Sequence, residues 1–281
     1  MKKLINLKSV SFLASFVFIL LMFSCTKEDH IQNEYTILVN ELGFSANNEH
    51  IKFVSTNGRI GQTYFYDNTG KIVQTGSGVF CTRYIYDEND RLVKKESTTD
   101  RSIFSSTYPA PKTDYDVINN YSLYEYDKMG RLSKIENYSN IETRKELELR
   151  SIQIFEYEGK NIVKVNLCDP TGHINQYYVY TYDSLGNITN EKNYICMFTG
   201  LSNPELNYEI IYKYDNYKNP FQILNILAPV FYTGANNMIE MTTKWYISNP
   251  RTETAKQTFE YNAKGYPVKM TYDGGVEEYE Y

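Results

Sequence analysis

Along most of the chain aromatic residues sit two apart, are followed at once by an acid, and are then followed by a glycine, a polar residue and an aliphatic one. Five copies keep this spacing: Tyr64 to Ile72, Tyr84 to Leu92, Tyr124 to Leu132, Tyr180 to Ile188 and Phe259 to Val268. Two more are degenerate. Phe155 to Ile162 is one residue short, and Tyr212-Lys213-Tyr214-Asp215 runs on into Asn219-Pro220 without the glycine. Self-similarity of this kind settles the architecture before any single residue does.

Each copy reads as a β-hairpin. Residues two apart in a strand share a face, so Tyr64 and Tyr66 point the same way. An aspartate such as Asp67, Asp87, Asp127 or Asp183 hydrogen-bonds the backbone two residues on and starts a turn. Gly70, Gly130, Gly186 and Gly265 then supply the positive φ with which a type I turn and bulge ends. Asp90 replaces the glycine in the second copy, and aspartate is among the few residues that tolerate that conformation. Between copies, Asn57-Gly58, Asp169-Pro170-Thr171-Gly172 and Asp273-Gly274-Gly275 are return turns.

The expected fold is therefore all-β: an antiparallel meander of repeated hairpins forming an elongated, curved sheet or an open barrel. The largest insertions fall at Thr98 to Asn119, Met197 to Asn207 and Asn219 to Asn237. The last predicts one short helix, with Asn219 as cap, Pro220 in the first turn, and Phe221, Leu224, Leu227 and Ala228 on one face.

The N-terminus departs from this pattern. Lys2, Lys3 and Lys8 precede an uncharged apolar run from Val10 to Phe23, too short for a membrane span and suited to a secretion signal. Ser24 and Cys25 follow, and polarity then changes abruptly. The order resembles a lipobox with Met22 in the position usually held by leucine, which implies cleavage before Cys25 and acylation of that cysteine. Lys27-Glu28-Asp29 resembles the surface-export signal of Bacteroides-type lipoproteins, which implies an outer-membrane protein, lipid-anchored and facing the cell exterior. The organisation expected is a signal peptide over 1–24, a lipidated tether over 25–34 and one β domain over 35–281.

Charge narrows the partners. Removing Lys2, Lys3 and Lys8 from the 29 basic residues leaves 26 against 34 acids, which disfavours a nucleic acid. Cys81, Cys168 and Cys196 have spacings of neither a disulfide framework nor a zinc site, and read as small buried hydrophobes.

Tyr124 to Leu132 resembles the YD repeat of Rhs-type proteins, and the layout resembles small YD-repeat-like lipoproteins of uncharacterised function in gut Bacteroides. The resemblance spans about Gln62 to Tyr281 and implies a long, curved antiparallel sheet. The toxin-wrapping role of the large relatives is not expected of a chain this short.

The 28 Tyr and 14 Phe place their recurring pairs beside turns, which favours a structural role over sugar stacking. Trp245 and Tyr246 lie outside the repeat and are the candidate ligand-binding pair. The repeat aspartates read as turn formers rather than as hydrolytic carboxylates. His30, His50 and His173 are isolated, so no metal site is expected, and no catalytic or cofactor motif is present. The reading is a non-catalytic surface binding or interaction module for a glycan, protein or small ligand. The alternatives are a secreted polysaccharide-acting hydrolase and a structural component of an envelope complex.

Overall fold

The computed structural model describes residues 50–77, 80–99, 118–140, 146–196, 204–226, 229–230, 234–247 and 249–281. Cys25, Lys27, Glu28 and Asp29, with the boundaries at 24 and 34, lie outside the described residues.

Sixteen antiparallel strands follow one another in chain order. They are β1 (Phe53–Thr56), β2 (Arg59–Tyr66), β3 (Ile72–Ser77), β4 (Phe80–Tyr86), β5 (Leu92–Thr99), β6 (Asn120–Tyr126), β7 (Leu132–Ser139) and β8 (Glu148–Glu158). The second half comprises β9 (Asn161–Cys168), β10 (Ile174–Tyr182), β11 (Ile188–Ile195), β12 (Glu205–Lys218), β13 (Asn236–Trp245), β14 (Arg251–Tyr261), β15 (Pro267–Tyr272) and β16 (Gly275–Glu280). Each pairs with its neighbours, and β1 pairs with β16, with Val54 opposite Tyr279. The sheet therefore closes into a barrel, where the sequence predicted an elongated or open sheet. Closure removes both free edges, which otherwise invite pairing with other chains.

The seven aromatic copies occupy the C-terminal ends of β2, β4, β6, β8, β10, β12 and β14, so their turns gather at one end of the barrel. In the third copy the Asp127 carboxylate accepts from the backbone N–H of Met129 at 2.8 Å and of Arg131 at 2.9 Å. Its second oxygen accepts from Arg131 Nε at 2.8 Å. The Arg131 guanidinium then lies 4.5 Å from the ring centroid of Tyr157 in the next copy. Arg91 repeats the arrangement on Tyr126 at 5.1 Å, and Lys71 on Tyr86 at 5.3 Å. At the glycine position Gly130 has φ of 77° and Asp90 has φ of 62°.

A second contact joins the copies. The hydroxyl of the second tyrosine donates to the carbonyl of the aliphatic residue one hairpin back: Tyr86 to Ile72 at 2.7 Å, Tyr126 to Leu92 at 2.8 Å, Tyr157 to Leu132 at 2.8 Å and Tyr182 to Ile162 at 2.7 Å. Tyr66 donates to Ile51 at 2.9 Å and Tyr214 to Ile188 at 2.7 Å. Tyr281 donates to Pro267 at 2.8 Å, which reveals Tyr279 and Tyr281 as an eighth pair. Tyr261 departs from the series and donates to the Asp215 carboxylate.

That insert forms a 3₁₀ helix over Pro220–Ile226 rather than an α-helix. Asn219 caps it, its side-chain oxygen accepting from the Phe221 N–H at 2.9 Å. Leu224, 2% exposed, packs with Ile51, Tyr64, Ile72, Met270 and Tyr279. Val230 packs with Leu92, Tyr124, Phe155, Tyr180 and Ile188. The insert thus folds inward and fills the turn end of the barrel. Asn187 fixes its far side, accepting from the Asn236 N–H at 3.1 Å and donating to the Asp183 carboxylate at 2.8 Å.

Candidate functional site

Strand alternation decides which residues face the interior. In β14, Arg251, Glu253, Ala255, Gln257, Phe259 and Tyr261 are half-buried, whereas Thr252, Thr254, Lys256, Thr258 and Glu260 are exposed. Phe259 packs on the core, so the first set faces inward. Cross-strand partners share a face, which carries this assignment around the barrel.

The outer face is charged along the strands. Lys213 on β12 meets Glu240 on β13 at 2.7 Å, and Lys256 on β14 meets the same carboxylate at 3.3 Å. Glu209 lies 3.7 Å from both Lys192 and Lys244, and Lys134 pairs with Glu125 at 2.6 Å and Glu136 at 2.9 Å. A barrel that spans a membrane presents an apolar band about 25 Å tall, and an outward lysine at mid-bilayer costs about 2–4 kcal/mol. The ion pairs on β7 and on β11 to β14 stand where such a wall would be apolar.

The interior has two halves. The turn half is the packed aromatic core just described. A cavity of about 500 Å³ opens outside it, between the turns and the insert, lined by residues including Arg91, Tyr126, Tyr157, Lys160, Tyr182 and Asn225. Its tyrosine hydroxyls and the Arg91 guanidinium are already engaged, the latter with Asp87 at 2.7 Å.

The opposite half is polar. On β4 to β8 the inward row runs through Thr82, Ser97, Ser122, Asn137 and Ser151. Thr82 and Ser97 hydroxyls lie 2.9 Å apart, Ser122 donates to Asn137 at 2.8 Å, and Asn137 donates to Ser151 at 3.2 Å. Lys95 belongs to this wall, paired across strands with Tyr84 and Ser122. Burial pushes its pKa down, and among the described residues its ammonium has no hydrogen-bond or ion-pair partner.

On β10 to β14 a second inward row runs Tyr178, Asn193, Tyr208, Trp245 and Arg251, each the register partner of the next. Tyr208 packs against Trp245 with centroids 5.0 Å apart, and the Arg251 guanidinium lies 4.9 Å over the indole. Arg251 Nε also donates to Glu253 at 2.8 Å. Glu191, one step along, accepts from the hydroxyls of Tyr208 and Tyr212, each at 3.2 Å, and burial pushes its pKa up. Burial likewise raises Glu277 on β16, which accepts from Tyr279 at 3.2 Å. Two buried donors in the row have no partner among the described residues: Asn193 Nδ2 and Trp245 Nε1.

The two residues singled out by sequence part company. Trp245 faces inward, while Tyr246, 44% exposed, reaches Glu209 on the outer face at 3.2 Å. They do not share one site. Lys95, Asn193 and Glu191 carried no sequence signal, since each is an isolated polar residue in a strand and its direction follows only from register.

Asp67, Gly70, Asp87, Asp127, Gly130, Asp183, Gly186 and Gly265 all lie in the turns. Their carboxylates point at turn backbone rather than at a common centre. Glu191 and Glu253 sit three strand steps apart, about 14 Å at a strand spacing near 4.8 Å. That exceeds the roughly 5–10 Å separation of glycosidase carboxyl pairs. Among the described residues no three His, Cys, Asp or Glu side chains converge to hold a metal, and Cys81, Cys168 and Cys196 are free thiols.

No family model matches the chain, and no curated protein matches it. Among solved structures it is similar to a porin-like protein from Bacteroides vulgatus, at 12% identity over 83% of this chain and 98% of that one, with a TM-score of 0.48. A porin-like protein from Bacteroides uniformis follows at 11% identity, 78% of this chain and 88% of that one, with a TM-score of 0.43. The Photorhabdus luminescens Tc holotoxin pore matches at 13% identity over 78% of this chain, which spans 12% of that chain, with a TM-score of 0.31.

Proposed function

We propose that this protein is a lipid-anchored, non-catalytic binding module of the outer membrane, and that its ligand enters the polar half of the barrel interior. The observation that carries the reading is the division of the interior. One half is packed shut by tyrosines and the insert, whereas the other presents buried donors at Asn193 and Trp245 without partners. A buried polar group without a partner costs about 1–3 kcal/mol, which a ligand that pairs with it would recover.

The anchor at Cys25 and the export signal Lys27-Glu28-Asp29 belong to this proposal, as does the placement on the cell exterior. The ion pairs on the outer face support attachment through lipid rather than through the barrel wall. The likeness of the copies to YD repeats supports a repeat-built scaffold without supplying a ligand.

Binding of an oligosaccharide panel to the purified full-length protein tests the reading. Asn193→Ala and Arg251→Ala should weaken binding by about tenfold, the scale of one charge-assisted hydrogen bond, while the outer-face change Lys213→Ala should not. Equal effects from inner and outer substitutions would contradict a site within the barrel. Turnover of the bound saccharide would favour a hydrolase.

A further inference from the structure

The polar atoms left over on the inner wall have one chemical character. Asn193 Nδ2 and Trp245 Nε1 are buried donors with no acceptor among the described residues, and the half-buried Lys95 is a donor perturbed by desolvation alone. The nearby carboxylates are already engaged: Glu253 accepts from Arg251, Glu191 from two tyrosines and Glu277 from Tyr279. A ligand that completes this wall brings acceptors, and at Lys95 it brings negative charge.

The surroundings of Lys95 refine the class. Its register partner is Ser122, and the linked hydroxyl and amide groups of Ser97, Asn137 and Ser151 continue the same wall. Hydroxyls and amides both donate and accept, and so match sugar hydroxyls. An inward-facing ammonium on a flexible stem with no counter-ion holds an anion by a charge-assisted bond, about twice as strong as a neutral one. The depressed pKa of Lys95 agrees with an anionic partner being absent from the protein itself.

We propose that the ligand is an acidic saccharide whose carboxylate pairs with Lys95 and whose hydroxyls meet the Ser97, Ser122, Asn137 and Ser151 groups of the same wall. This rests on the reading above that the interior is the binding site, and it adds the ligand's charge and acceptor character.

The chain has one tryptophan, so Trp245 emission reports on the interior alone. The purified full-length protein would be titrated with galacturonate, glucuronate and sialate oligosaccharides and with neutral oligosaccharides of matched length, by fluorescence and by calorimetry. Acidic oligosaccharides should shift Trp245 emission and bind at least about tenfold more tightly than the neutral set. Lys95→Met should remove that preference and Lys95→Arg should keep it, with thermal midpoints measured for both to confirm that the fold is intact. If neutral oligosaccharides shift Trp245 emission with equal affinity, or if Lys95→Met retains the preference, the inference of an acidic ligand is overturned and the binding site within the barrel stands. If neither set shifts the emission, both readings fall.

Discussion

The tyrosine that precedes each turn aspartate does two jobs, because its ring joins the core while its hydroxyl satisfies a carbonyl one hairpin away. Removing the hydroxyl leaves that carbonyl partly unpaired, so Tyr126→Phe and Tyr182→Phe should each lower unfolding free energy by about 0.5–1.5 kcal/mol. Chemical denaturation checks this, and midpoints at or above that of the parent protein would contradict it. Gly130→Ala isolates backbone strain, since a Cβ there meets nothing within 4 Å while φ is 77°. Its expected cost is about 1–2 kcal/mol.

The turn aspartates also set an acid limit. The Arg91 side chain and backbone hold Asp87 below the usual carboxylate range; the Arg131 backbone and side chain do the same for Asp127. In Asp67, burial alone would raise the pKa, but hydrogen bonds from Thr69 and Lys71 outweigh it. A carboxyl whose folded pKa lies below its unfolded value stabilises the fold above that value, and the contribution is lost as pH falls through the folded pKa. The thermal midpoint should therefore decline as pH drops below about 4, the ordinary aspartate value, and Asp127→Asn should flatten that decline.

Among elements, the hairpins were legible because each carries its instructions locally: paired aromatics for the face, aspartate and glycine for the turn. The eighth pair, Tyr279 and Tyr281, was not, since its bond to Pro267 is what reveals it. The insert was legible in its start, where Asn219 and Pro220 act as read, but its helix type and destination were not. Those depend on the width of the closed barrel it fills. Leu224 lies at the centre of that contact, and Leu224→Ala should cost about 2–5 kcal/mol, measured by equilibrium denaturation. A loss under about 1 kcal/mol would show that the insert does not plug the turn end.

For the whole molecule, closure hinges on β1 meeting β16, a pairing more than 200 residues apart in sequence that no local pattern encodes. The polar site was hidden for the same reason. Trp245 and Tyr246 are adjacent in sequence, so strand alternation separates them, and closure decides which of the two faces is the interior. The separation of a water-facing wall from an enclosed polar interior is the central claim, and β14 alternates cleanly enough to test it. Nitroxide labels at Thr242, Thr254 and Glu253 of the full-length protein, reconstituted on liposomes, can be probed with a water-soluble relaxing agent and with oxygen, which partitions into lipid. Labels at Thr242 and Thr254 should be relaxed freely by the water-soluble agent, the label at Glu253 more slowly by the same agent, and none of the three preferentially by oxygen. Preferential relaxation of the Thr242 and Thr254 labels by oxygen would place the outer wall in lipid and contradict the account.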